Sequence, residues 1–478
     1  MAGIGEILIR EGIITMPQLQ EALKYQKANG GRLGEALVTL GYITVFKLKQ
    51  FFNVVPVVPL KAEQTGLSNS ILIGLILKQA HSEGGAYSLG PMSNSLHLTI
   101  SVVDELTQIA KNEGLVSIRS AAGFNRSLQI FELTNIGRQR AEEALIQSRY
   151  IGPAPVPLTS YNVMSAHQTV RQLEFDWAWI RRALGHLVLN DRLLSQLGPA
   201  FNSGSSIFLY GPPGLGKSSI ADALARAIES NIYIPYAVEV DGQVIRLFDP
   251  SVHVPVEIVQ EENQLNDITV KTSHDPRWVY CRRPVVVVGG ELTLSALDLD
   301  FDPVSKFYEA PVHMKATNGV FVLDDFGRQT VQPRQLLNRW IVPMERSIDY
   351  LSLHTGRKFT IPFDQITFFC TNLKPSELVD EALLRRIRHK IRLEYQTEPE
   401  YLETLQRVCK HAGMNFDPMA ATYLVETYYR QTSRPMVGSH PRDLIEQIID
   451  RARFLKVKPE LSPVTIDAAA ANYFVRHE

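Results

Sequence analysis

The middle of the chain, about residues 165 to 395, is predicted to be an α/β fold with a mainly parallel sheet, flanked on both sides by smaller helical units. Three observations carry this. Short apolar runs alternate with helical patterns throughout that stretch. One such run, Ser206–Tyr210, leads into Gly211-Pro-Pro-Gly-Leu-Gly-Lys217-Ser218 and then into an amphipathic helical pattern over Ser219–Ala227. Another, Val320–Leu323, ends on two adjacent acids, Asp324 and Asp325.

At 478 residues the chain exceeds one ordinary core, and length alone suggests roughly three domains. Hydrophobic residues make up 45% and charged residues 21%, the balance of a globular protein, and a net charge of −1 gives no global pull towards nucleic acid or an anionic membrane. Apolar runs such as Ile71–Leu77 and Val285–Val288 are too short to span a bilayer. Cys281, Cys370 and Cys409 lie far apart, which gives no zinc spacing and fits a reducing cytosol. The opening MAGIGEILIREG lacks the basic and apolar regions of a signal peptide, so the expected location is cytoplasmic.

Residues 1–61 contain a duplication. Gly5/Gly34, Glu6/Glu35, Leu8/Leu37, Gly12/Gly41, Ile14/Ile43, Thr15/Thr44 and Leu19/Leu48 are identical at a fixed offset. Each copy reads as a short helix, a glycine C-cap and a second helix opened by Thr. Residues 62–150 read as a winged helix. Helices are expected over Ile71–Gln79 and Val102–Lys111, and β-rich runs over Leu115–Arg119 and Ser127–Leu133. Ala121-Ala122-Gly123 is the expected wing tip, and a closing helix, Asn135–Gln147, is capped by Thr134. The alternating prolines of 151–164 predict a stiff, extended linker. Residues 396–478 are mostly helical by pattern.

The segment Gly211–Ser218 has the spacing G-x-x-x-x-G-K-S. Its glycines let the backbone wrap phosphates, and its amides converge at a helix N-terminus, where anions are favoured. The nucleotide-binding set is therefore Gly211, Pro212, Pro213, Gly214, Leu215, Gly216, Lys217, Ser218 and Ser219. Lys217 is expected to reach the β- and γ-phosphates, and Ser218 to ligate Mg²⁺. Asp324 and Asp325 fall at the carboxyl end of a strand, where ligands of open α/β sheets collect. Asp324 is assigned to the metal and Asp325 to the attacking water. The implied cofactors are ATP and Mg²⁺. The interval between loop and acids contains further strand runs, Ile232–Val240, Val244–Leu247 and Val285–Val288, and is read as carrying an insertion.

Together these elements resemble AAA+ ATPases over about residues 165–478, most closely the MoxR-like group, described as chaperone-type remodellers. The resemblance implies an α/β core at 165–395 and a helical lid at 396–478. It makes Asn372, at the end of the run Gln365–Thr371, a sensor between the acids and the γ-phosphate. It makes Arg386, with Arg385 next, an arginine finger acting on a neighbour in a homo-oligomeric ring, a hexamer being one admitted size. Arg442, in Gly438-Ser-His-Pro-Arg442-Asp443, becomes a lid arginine closing on ATP. The second acid of that family is usually Glu, and here Asp325 is one methylene shorter. The N-terminal duplication resembles the N-terminal domain of type II secretion and type IV pilus motor ATPases, called MshEN where it binds cyclic-di-GMP. Copy one has Gly3 where the pattern has Arg, and copy two has Arg32 but Val55 where Gln belongs. Cyclic-di-GMP binding is therefore expected to be weak or lost.

Three functions compete: an ATP-driven remodeller of a protein client, a nucleic-acid machine using the winged helix, and a signal-binding module. The helix placed to enter a DNA groove carries Asp104 and Glu105 with only Lys111 near its end, which disfavours nucleic acid.

Overall fold

The computed structural model describes residues 8–9, 14–29, 33–43, 55–120, 129–257, 274–378 and 381–474. Its centre is a sheet of five strands: β1 (Ser206–Tyr210), β2 (Val285–Val288), β3 (Val320–Leu323), β4 (Ile366–Thr371) and β5 (His389–Arg392). They lie in the order β2-β3-β4-β1-β5 and every pair is parallel. Every residue of β3 and β4 is buried, as a sheet covered on both faces requires. Alternate residues feed opposite cores. Phe368 points to the side holding Leu224 of α1 (Lys217–Arg226), and Phe369 to the side holding Trp340 of α2 (Pro333–Arg346). Trp340 is completely buried against Phe321, Phe363 and Phe369, so truncating it to Ala costs about 3–5 kcal/mol. Because all five strands run the same way, Gly211, Asp324 and Asn372, which follow β1, β3 and β4, emerge at one edge.

Val285–Val288 is thus a strand of the core and not part of an insertion. Outside the central sheet lies the other described part of that interval, 231–257 and 274–282. Its predicted long strand is broken at Tyr236 into Asn231–Pro235, paired with Trp278–Arg282, and Ala237–Val240, paired with Gln243–Arg246. The second pair is extended by Val156–Pro157 on one side and by Tyr308–Glu309 and Asp300–Phe301 on the other, making a mixed five-stranded sheet.

Residues 69–147 fold as four helices (Asn69–Ser82, Leu89–Leu96, Ile100–Asn112, Asn135–Gln147) on a three-stranded antiparallel sheet ordered Ala86–Ser88, Ile130–Leu133, Val116–Ser120. The Thr134 cap is present, its Oγ1 accepting from Gly137 N at 3.0 Å. The sequence reading left out Ala86–Ser88 and Leu89–Leu96. The expected wing tip 121–123 and Arg126 lie outside the described residues. Near the N-terminus, helices Met16–Asn29 and Leu33–Thr39 pack through Leu19, Ala22, Ala36 and Leu37, and Gly41 takes φ +74°. Gly3, Gly12 and Arg32 lie outside the described residues.

The proline-rich stretch is not a free spacer. Ala154 and Val156 are completely buried, Val156–Pro157 is a sheet strand, and Leu158–His167 is a helix. Arg277 fixes this junction. It pairs with Asp275 at 2.8 Å and donates to Thr65 O at 3.0 Å and Pro155 O at 3.1 Å, all out of solvent.

The C-terminal unit comprises α3 (Glu398–His411), α4 (Pro418–Val425), a π-helical turn (Glu426–Arg430), α5 (His440–Leu455) and α6 (Pro463–Tyr473) around one core. Among the described residues, no helix is long and apolar enough to cross a membrane.

Candidate active site

The phosphate loop connects β1 to α1, and its glycines answer to steric demands. Gly211 takes φ +145°, and a Cβ there would lie 2.4 Å from Leu393 O. Gly214 takes φ +74°, and a Cβ there would lie 2.6 Å from Val437 Cγ1. Any side chain at either position would break the loop's seat on β5 or on the C-terminal unit. Pro212 and Pro213 offer no amide, so the donors come from Gly214 onwards. The first intrahelical bond noted for α1 is Ile220 N to Gly216 O at 2.8 Å, which leaves the amides of Lys217, Ser218 and Ser219 as the free first turn.

Lys217 is 7% exposed, with its ammonium in a ring of three acceptors: Gly211 O at 3.0 Å, Pro212 O at 2.8 Å and Asn372 Oδ1 at 2.5 Å. Burial lowers its pKa, and the neighbouring Cys370, Asp325 and Asp324 oppose that shift. Ser218 Oγ donates to Asp324 Oδ1 at 2.5 Å. Asp324 Oδ1 also accepts from Asp325 N at 2.9 Å. Asn372 links the two halves. Its Oδ1 accepts a hydrogen bond from Lys217 Nζ, and its Nδ2 donates to Asp325 Oδ1 at 3.4 Å. Lys217, Ser218, Asp324, Asp325 and Asn372 thus form one connected group.

Asp325 is held in the left-handed region at φ +48°, which a short polar side chain tolerates best. The turn after it is stapled by residues the sequence reading did not single out. Gln329 Nε2 donates to Asp324 O at 2.9 Å, Thr371 Oγ1 donates to Phe326 O at 2.6 Å, and Phe326 N donates to Cys370 O at 2.7 Å. A polar residue just past an acidic strand end was the available signal for Gln329. Nothing local marks Thr371.

The two arginines stand differently. Arg386 Nε donates to Glu345 Oε1 at 2.8 Å, at the end of α2. Arg442 is exposed and pairs with Asp443 at 3.5 Å and Glu446 at 3.8 Å along its own helix. The contact from the C-terminal unit to the loop is made instead by Val437, Gly438 and Ser439, with Ser439 N donating to Gly214 O at 3.0 Å. Beside this clasp a cleft of about 390 Å³ opens between the segment before α1's strand (Val188, Asn190, Leu193), the loop (Tyr210, Leu215) and the strand end at Arg392.

The residues fit a nucleotide with a divalent cation. Two loop glycines, Gly211 and Gly214, form a cradle that a Cβ would spoil, and Ser218 and Asp324 set two oxygen donors side by side. Among the described residues no cluster of three or more His, Cys, Asp or Glu forms a metal cage. A pair of protein oxygens such as Ser218 Oγ and Asp324 Oδ1 is a set Mg²⁺ accepts, drawing its other ligands from phosphates and water.

Residues 397–472 match a family described as a domain of unknown function (DUF8689). The type IV pilus assembly ATPase PilB of Myxococcus xanthus (strain DK1622) is 44% identical over 50 residues, which is 10% of this chain and 9% of that protein. Among solved structures, a P216G mutant of Thermotoga maritima RuvB has a TM-score of 0.34 at 14% identity, covering 59% of this chain and 69% of its own. NtrX from Brucella abortus has a TM-score of 0.35 at 11% identity, covering 72% and 62%. Domain III of the Thermotoga maritima replication initiation protein DnaA has a TM-score of 0.35 at 10% identity, covering 64% and 100%. Likeness at this level does not assign function, which rests on the site itself.

Proposed function

We propose that this chain is an AAA+-type ATPase that binds ATP with Mg²⁺ at Gly211–Ser219 and hydrolyses it through Asp325. The observation that supports this is the connected group Lys217–Asn372–Asp325 beside Ser218–Asp324, assembled at one edge of a parallel sheet. The bound nucleotide supplies the scissile phosphoanhydride, and the metal neutralises its charge. Lys217 supplies a buried cation, which acts more strongly there than in water. Ser218 and Asp324 hold the metal, Asp325 orients the water and takes its proton, and Asn372 fixes Asp325 relative to the lysine. The cleft by Leu193 and Arg392 is large enough for the nucleoside.

The same reading makes the protein a homo-oligomer in which Arg386 leaves Glu345 to complete a neighbour's site. Region 1–150 then selects a protein client, with 62–150 a winged-helix-like docking unit. Lys217→Ala is expected to abolish ATPase activity, and Asp325→Asn to retain ATP binding but not turnover. Full turnover by Lys217→Ala would overturn the assignment.

A further inference from the structure

The C-terminal unit reaches the phosphate loop through the Val437–Ser439 clasp, and His440 is the next residue. His440 opens α5, and its Nδ1 lies 2.9 Å from Tyr429 Oη. Tyr429 Oη lies 2.7 Å from Tyr401 Oη. Tyr401 and Tyr429 are out of solvent, on α3 and on the π-helical turn after α4. The π turn is what places Tyr429. Its extra residue lets two successive tyrosines find partners, Tyr428 on Asp467 at 2.8 Å and Tyr429 on His440. From the other side, Tyr473 of α6 packs edge-on against the His440 ring and donates to Asp443 at 2.7 Å.

We propose that His440, wired through Tyr429 to Tyr401, is a positioning residue for nucleotide binding: it fixes the first turn of α5 so that Val437–Ser439 clasps Gly214. This rests on the ATP reading above and goes beyond it. It gives the 397–472 family a defined role on the loop, carried by the clasp and not by the Arg442 side chain. Burial holds His440 down at about 4, so its ring is neutral at physiological pH. Burial also holds both hydroxyls protonated, with their pKa raised. The link is therefore a chain of neutral hydrogen bonds that can run from Tyr401 O–H to Tyr429, and from Tyr429 O–H to Nδ1. It has no charge for salt to screen. Its worth lies in fixing an orientation: one ring position of His440 satisfies both Tyr429 and the aromatic walls.

The test uses the full chain carrying Asp325→Asn, so that ATP is not consumed. ATP·Mg²⁺ affinity is measured by calorimetry and melting temperature in parallel. Tyr429→Phe keeps the ring and removes only the hydroxyl. It is expected to weaken ATP binding about five- to tenfold and, because Tyr401 O–H and His440 Nδ1 lose that partner, to lower the melting temperature by a few degrees. His440→Phe should do the same. His440→Asn, whose Oδ1 can accept where Nδ1 did, should recover affinity to within about threefold of the parent. In the hydrolysing chain the loss should fall on KM and leave kcat within about twofold. Parent-like affinity in Tyr429→Phe would remove the relay while leaving the ATP reading intact. So would a loss that tracks melting temperature and is not rescued by Asn. A parent chain that binds no ATP would remove the ATP reading, and the relay with it.

Discussion

Replacing Asn372 with Ala separates binding from chemistry at this site. The side chain makes two bonds of unequal length, 2.5 Å from Lys217 and 3.4 Å to Asp325. In the resting chain the first occupies one of the lysine's three protons, with Gly211 O and Pro212 O holding the others. Losing it frees the ammonium to turn to a phosphate, so ATP affinity should stay within about threefold of wild type or improve. On the proposed mechanism the second bond orients Asp325. Hydrogen bonds to charged groups contribute about 1.5–3 kcal/mol, and a 3.4 Å contact belongs at the weak end, so kcat should fall about tenfold. Steady-state ATPase assays and calorimetry on the same preparation read both quantities. An unchanged kcat would show that Asn372 does not position Asp325. Joint loss of binding and turnover would show that it supports the loop structurally.

Arg386→Ala should bind ATP without turning it over, and mixing it with Lys217→Ala subunits should restore some activity at mixed interfaces; a mixture that stays inactive assigns Arg386 to its Glu345 contact alone. Gly214→Ala should weaken ATP binding at least tenfold, because its Cβ would meet Val437 at 2.6 Å and its backbone needs φ +74°; wild-type affinity would show that the clasp is dispensable. His253 is completely buried, and burial lowers it to about 4; its Nδ1 accepts from Asp249 N and its Nε2 faces Lys315 O, which fixes the neutral ring with hydrogen on Nε2. The unfolded chain takes up this proton first, so stability should be full above about pH 6.5 and fall towards pH 4, by roughly 3 kcal/mol. Comparing thermal unfolding at pH 7 and pH 5 with His253→Gln should show a flatter acid loss in the variant; equal losses would place the acid sensitivity elsewhere.

The loop, both acids and Asn372 were legible because each sits at a strand end, and a parallel sheet brings strand ends together whatever lies between. Val285–Val288 was legible as a strand but not as a member of the central sheet, because an apolar run of four has no motif attached and its membership depends on pairing with Val320–Leu323 thirty-five residues away. The cleft beside the loop escaped for a similar reason. Asn190 and Leu193 meet Arg392 only through the fold, and neither segment has a pattern of its own. Arg442 was chosen by resemblance. The structure gives the loop contact to Ser439, a backbone amide that no sequence pattern distinguishes from its neighbours.

The buried proline run changes how this protein could be dissected. A cut at residue 158, where composition suggests a seam, would strip Val156–Pro157 from the mixed sheet and uncover Val238, its completely buried strand partner. It would also take both carbonyls from Arg277, leaving a buried guanidinium with Asp275 alone, and unmet groups of this kind cost several kcal/mol. The isolated part from residue 158 onwards should therefore express poorly or aggregate. A protease nick at the same place should loosen the sheet on both sides of it, not merely release a tail.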